Sequence, residues 1–99
     1  MNRNKIVVIE DEPDIVEVLC YNLKREGYSV FAVERGDAGL NVIRNQSPNL
    51  VILDLMLPGM DGLSICKQMK SDPIISNIPI IMISAKGEES DIVIGLELG

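Results

Sequence analysis

LVILDLMLPGMDG, residues 50–62, decides how the rest of the chain is read. Leu50, Val51, Ile52 and Leu53 form a short, unbroken apolar run, the pattern of a strand buried on both faces of a parallel sheet. That strand delivers one carboxylate, Asp54, to its carboxyl end. Pro58 and Gly59 then supply turn chemistry, and a helix is predicted to begin near Asp61 and Gly62. In open α/β sheets, ligands gather beyond the carboxyl ends of the strands, where strand order reverses. An Asp set there is a candidate reactive group; it is equally a residue that merely caps or solvates the strand end.

Working outward, the same alternation recurs on both sides. KIVVI (Lys5–Ile9) is apolar and β-branched, a central strand followed at once by Glu10, Asp11 and Glu12. Pro13 suits the first turn of a helix, where its missing N–H is not needed. Ile15, Val18, Leu19 and Leu23 follow at helical spacing, and Gly27 is placed to end that helix in the left-handed region. SVFAV (Ser29–Val33) is a second strand, and residues 37–45 form a second helix with Leu40 and Ile43 facing inward. Ser47 and Pro48 break it before the central strand. Beyond that strand, residues 63–70 read as a third helix with Ile65, Cys66 and Met69 on one face, closed by Asp72-Pro73 because the residue before a proline avoids helical backbone. IPIIMI, residues 78–83, is a fourth strand ending in Ser84 and Ala85. Residues 88–98 read as the opening of a fourth helix, acidic in its first turn as the helix dipole favours. The order β-α-β-α-β-α-β-α, with right-handed crossovers, predicts a flavodoxin-like doubly wound parallel sheet of order 2-1-3-4, helices on both faces.

Composition agrees with one small α/β domain over residues 1–99. Apolar residues make up 46% of the chain, but Tyr21, Tyr28 and Phe31 are its only aromatics, so the core must be aliphatic. A formal net charge of −6 argues against nucleic-acid binding by this segment and against an anionic membrane surface, both of which need Lys and Arg. No apolar stretch reaches bilayer length, and the charged N-terminal segment does not suit a signal peptide. Cys20 and Cys66 lie within predicted helices without metal-ligand spacing and read as free thiols in a reducing compartment. There is no His, which removes the commonest general base. A cytoplasmic location is expected.

Strands one and three, side by side, bring Glu10, Asp11 and Asp54 to one edge of the sheet. Clustered carboxylates repel one another unless a cation joins them, and hard oxygen ligands beside water and phosphate oxygens are what Mg²⁺ prefers. An acidic surface cluster without function is the competing reading. Ser84, at the end of the neighbouring strand, could donate a hydroxyl to an oxygen held by Asp54, although a lone Ser after a strand is commonly a cap or turn residue.

Taken together, IEDE near the start, LVILDLMLPGMDG in the middle, and IPIIMISAKGEE followed by Ile-Gly-Leu-Glu-Leu-Gly resemble a response-regulator receiver domain of two-component signalling. The loop and the Ser-Ala-Lys-Gly-Glu-Glu turn look most like receivers attached to winged-helix transcription factors. This resemblance implies that Asp54 is the phosphoacceptor, that Glu10, Asp11 and Asp54 hold Mg²⁺ with the backbone carbonyl of Met56, and that Ser84 and the backbone N–H of Ala85 meet the phosphoryl oxygens. The Glu at position 10, where an Asp is more frequent, is expected to act through a water. A sensor histidine kinase is the implied donor, and Ser84 moving inward is the implied switch. Such modules are phosphoacceptor switches rather than enzymes acting on a separate substrate. A haloacid-dehalogenase-type phosphohydrolase would want a second acid at Met56. A flavodoxin would want a phosphate cradle where this chain has EDEPD.

Receivers of this kind continue with a fifth strand, ending in a phosphoryl-pairing Lys, and a fifth helix. Neither is found before Gly99, and Lys86 does not match that Lys. The domain is therefore expected to be incomplete at its C-terminus, with any DNA-binding output region lying outside this segment. Strand 78–83 is expected to have an open edge, and strands one and three a partly exposed face. Both features would favour self-association or a homodimer.

Overall fold

The computed structural model describes residues 4–57, 59–86 and 91–97, with backbone alone beyond Ile83. Strand β1 (Lys5–Ile9), helix α1 (Pro13–Arg25), strand β2 (Ser29–Val33), helix α2 (Gly36–Gln46), strand β3 (Leu50–Asp54), helix α3 (Gly62–Ser71), strand β4 (Ile80–Lys86) and strand β5 (Asp91–Glu97) follow in order. They build one sheet of order β2-β1-β3-β4-β5. The first four strands are parallel, in the flavodoxin-like order 2-1-3-4 that the alternation predicts.

Register follows from pairing at the strand starts. Lys5 donates its N–H to the Asn49 side chain at 2.8 Å, while Asn49 donates its own N–H to the Lys5 carbonyl at 2.8 Å. Val7 then faces Val51, and Ile9 faces Leu53. Because successive side chains alternate between faces, β1 and β3 fill two cores at once. On one face Val7, Ile9, Val51 and Leu53 pack with Leu40 and Ile43 of α2 and with Ile65 and Met69 of α3. On the other, Ile6, Val8, Ile52 and Ile83 pack against Ile15, Leu19 and Leu23 of α1. The helices end as their sequences dictate. Gly27 takes φ +95 after α1, with the Tyr28 N–H returning to the Leu23 carbonyl at 3.2 Å. Ser47 closes α2 in the left-handed region at φ 46.

Five expectations are corrected. Residues 88–98 do not form a fourth helix where they are described, since Asp91–Glu97 is a strand antiparallel to β4, pairing Ser84 with Val93 and Lys86 with Asp91. Ile92, Val93 and Ile94 are β-branched and Gly95 is a poor helix residue, while the outer edge of β4 offers backbone groups that need partners. For the same reason the β4 edge is not open, and self-association through it loses its premise. The partly exposed face expected on β1 and β3 is also absent: Ile6 and Val8 are buried, and Ile52 is 7% exposed. Val18, assigned to the core face of α1, is 60% exposed, because that helix lies against the sheet on the stripe of Ile15, Leu19 and Leu23. Strand β4 also begins later than expected, after turns in which the Ile75 N–H meets the Asp72 carbonyl and the Ile78 N–H meets the Ile75 carbonyl, so Ser84 and Ala85 lie within it.

Candidate functional site at the carboxyl ends of β1 and β3

The chain leaves β1 toward β2 on one side and returns to β3 on the other, so the carboxyl ends of β1 and β3 flank the point where strand order reverses. Glu10 and Asp11 follow β1, and Asp54 is the last residue of β3. Glu10, Asp11 and Asp54 each offer a carboxylate oxygen, and these oxygens lie within 4.8 Å of one another. The three differ in setting. Glu10 is 1% exposed and Asp54 8% exposed, whereas Asp11 is exposed.

Local hydrogen bonds hold the two buried acids. The Glu10 N–H reaches the Val33 carbonyl at 3.0 Å, which ties the residue to the end of β2. Its Oε2 accepts from the Glu12 N–H at 3.0 Å. Asp54 Oδ1 accepts from the Met56 N–H at 3.2 Å, turning the chain sharply after the strand. Gly62 opens α3 against that turn. Its N–H reaches the Leu55 carbonyl at 3.0 Å, and a Cβ at this position would lie 2.5 Å from the Asp54 carbonyl oxygen. Asp61 caps α3 by accepting from the Ser64 N–H at 2.8 Å.

Electrostatics distinguish this cluster from a solvated acidic patch. Burial pushes the Glu10 carboxyl up from 4.5 to about 7, opposed by the Glu12 N–H and reinforced by the charge of Asp54, a shared hydrogen bond with it, and the charge of Asp11. A buried acid in the field of two others is held where a positive charge would be strongly favoured. The donor set is all hard oxygen, which fits a divalent cation of the Mg²⁺ class. A cleft of about 250 Å³ continues from the cluster between α1 and the end of β2, lined by Glu10, Asp11, Pro13, Val16, Glu17 and Glu34 among others. Glu34 is not among the acids singled out from the sequence, although it follows β2 much as Glu10 follows β1; Glu17 gave no comparable signal.

Of the remaining site residues expected from the sequence, Met56 lies on the turn after Asp54 with its side chain 76% exposed. Strand β4 puts Ser84 directly after Ile83, the register partner of Asp54, with Ala85 next. The side chain of Ser84 lies outside the described residues.

The doubly wound sheet thus brings its convergent acids to the switch point. Residues 6–99 match the pattern of the response regulator receiver domain, and the chain belongs to that family. It is 46% identical, over all 99 of its residues, to the alkaline phosphatase synthesis transcriptional regulatory protein PhoP of Bacillus subtilis, of whose length it spans 40%. Among solved structures it resembles the N-terminal domain of a response regulator receiver protein from Methanoculleus marisnigri, with a TM-score of 0.78 and 35% identity over 87% of this chain and 72% of that one. The BeF3-activated N-terminal receiver domain of Klebsiella pneumoniae RstA is similar at a TM-score of 0.77 and 32% identity, over 87% of this chain and 71% of that one. The chain is thus a receiver module of a two-component response regulator. No helix among the described residues is long and apolar enough to cross a membrane.

Proposed function

We propose that Asp54 accepts a phosphoryl group from a phosphohistidine of a sensor kinase, and that Glu10, Asp11, Asp54 and the Met56 carbonyl hold the Mg²⁺ this requires. The convergence of the three carboxylates within 4.8 Å at the end of β3 carries the proposal. A carboxylate is a poor nucleophile toward an anionic phosphoryl group, and a bound divalent cation would supply the charge that offsets their repulsion. Asp54 attacks phosphorus with one carboxylate oxygen as the P–N bond to the donor breaks. The electron pair stays on the nitrogen that carried phosphorus, and the donor leaves as a neutral imidazole with its proton already on the other ring nitrogen. Glu10 and Asp11 orient and balance the site, and no acid or base is needed beside Asp54, so the absence of His is no obstacle.

Ser84 and the backbone N–H of Ala85 are assigned to the phosphoryl oxygens. Their place on β4 beside the end of β3 supports this. The aspartyl phosphate adds nearly two negative charges, and its recruitment of Ser84 would bias the β4 segment between two arrangements. Since the relative from Bacillus subtilis is a transcriptional regulatory protein and is longer, we assign residues 1–99 to the phosphoacceptor part of a cytoplasmic regulator whose DNA-binding output lies elsewhere. Release of the phosphoryl group to water is assigned to the same site, without a separate substrate.

Incubation with acetyl phosphate and Mg²⁺ should add the mass of one phosphoryl group to the intact protein. EDTA or Asp54→Asn should abolish the addition. Phosphorylation persisting in Asp54→Asn would overturn the assignment.

A further inference from the structure

The turn between β2 and α2 touches the site loop in a way that neither the acid cluster nor the family likeness requires. Arg35 occupies the N-cap position of α2 and folds its guanidinium back along the first turn, with Nε 3.1 Å from Asp37 Oδ1 and Nη2 3.1 Å from Oδ2. Asp37 Oδ1 also accepts from the Ala38 N–H at 2.8 Å. This two-pronged pair is tied to the helix start through Asp37 and forms a platform there, with both side chains about half exposed.

The loop after Asp54 rests on that platform. Gly59 has φ +86, and a Cβ there would lie 2.8 Å from Arg35 Nη2 and 3.0 Å from Asp37 Oδ1. Its backbone therefore lies directly against the ion pair. One residue on, the Met60 carbonyl occupies the space that a Cβ on Gly36 would need. The base of the loop is closed by the hydrogen bond from the Gly62 N–H to the Leu55 carbonyl, so Met56 sits between a closed base and a seated tip. The segment that carries the platform also holds the other half of the site, through the Val33 carbonyl and the Glu10 N–H.

We propose that Arg35 and Asp37 are positioning residues: their ion pair seats Gly59 and Met60 of the turn after Asp54, so that Asp54 and Met56 stay in register with Glu10 and Asp11. The functional part of this inference rests on the phosphoacceptor reading. An exposed ion pair contributes little to global stability, so its effect should appear in the loop and at the site rather than in the unfolding midpoint.

The test uses the whole chain and the variants Arg35→Ala, Arg35→Lys and Asp37→Asn. Amide hydrogen exchange is followed by NMR without divalent ions, and Mn²⁺ binding by paramagnetic relaxation. Arg35→Ala and Asp37→Asn should speed exchange about tenfold at Met56 and Gly62, whose N–H groups bond Asp54 Oδ1 and the Leu55 carbonyl. They should also raise the Mn²⁺ dissociation constant by about tenfold. Exchange at Val7 and Val8 and the thermal midpoint should not move, and Arg35→Lys should recover part of both effects. Loop exchange and Mn²⁺ affinity within twofold of the wild type would overturn the inference, as would faster exchange spread evenly over loop and strands. Wild-type protein that fails to bind Mn²⁺ would overturn the phosphoacceptor reading, while loop exchange in the metal-free protein still decides whether the pair seats the loop.

Discussion

Glu10 and Asp54, delivered by different strands, meet as buried carboxylates that share a hydrogen bond. Burying two acids side by side works against folding, and the strain falls on Glu10, whose carboxyl is raised to about 7. A pH dependence follows. An acid whose pKa is higher in the folded protein than in the unfolded chain binds more protons when folded, so it stabilises the fold at low pH and loses that contribution as pH rises. For Glu10 the window runs from 4.5 to about 7. In metal-free protein, stability should fall by roughly 2–3 kcal/mol across this window relative to Glu10→Gln, which cannot ionise. Thermal unfolding of both proteins between pH 4.5 and 8 checks this; parallel profiles would refute it.

Removing the charge of Asp54 should act on metal and on fold in opposite directions. Asp54→Asn relieves the repulsion on Glu10 and so should raise the metal-free unfolding midpoint. It should also weaken divalent-ion affinity by roughly a hundredfold, because a charged oxygen ligand is lost. Calorimetric titration with Mg²⁺ and a thermal melt of the same sample test both halves.

Gly62 is where α3 comes closest to the site. A methyl group there would meet the Asp54 carbonyl oxygen at 2.5 Å and the Leu55 Cα at 2.8 Å, both backbone atoms with little freedom to move. Gly62→Ala should therefore cost about 1–3 kcal/mol, as overpacking usually does, and weaken divalent-ion binding by displacing Asp54. Urea denaturation gives the first quantity. A variant as stable as the wild type would show that the turn yields more easily than its contacts suggest.

Two apolar residues that look alike in the sequence should behave differently. Leu53 is fully buried between the sheet and α2 and α3, so Leu53→Ala should cost about 2–5 kcal/mol. Val18 is 60% exposed, so Val18→Ala should change stability by no more than about 0.5 kcal/mol. Denaturant midpoints at constant slope give the comparison.

The β4–β5 pairing has a direct spectroscopic signature. Antiparallel strands bring Hα atoms together at alternate residue pairs, so cross-strand Hα–Hα contacts should appear along the register from Ile80–Glu97 to Lys86–Asp91. Sequential helical contacts across residues 91–97 in their place would overturn the strand.

The sequence alone determined the elements whose pattern is local and strong. KIVVI and the apolar run of β3 read as buried strands and SVFAV as a strand, and the alternation of strands with helical stripes pointed to a parallel sheet of order 2-1-3-4. The acids came with them, because Glu10, Asp11 and Asp54 sit at strand ends wherever those strands pair. Tertiary structure decided the rest. Whether residues 91–97 wind or extend depends on the unpaired edge of β4, a partner distant from any local propensity. Which stripe of α1 is buried depends on how the helix lies on Ile6, Val8 and Ile52. The raised pKa of Glu10 and the seating of Gly59 on Arg35 and Asp37 arise from contacts between separate segments, and residue spacing in one chain does not encode distance across a folded one.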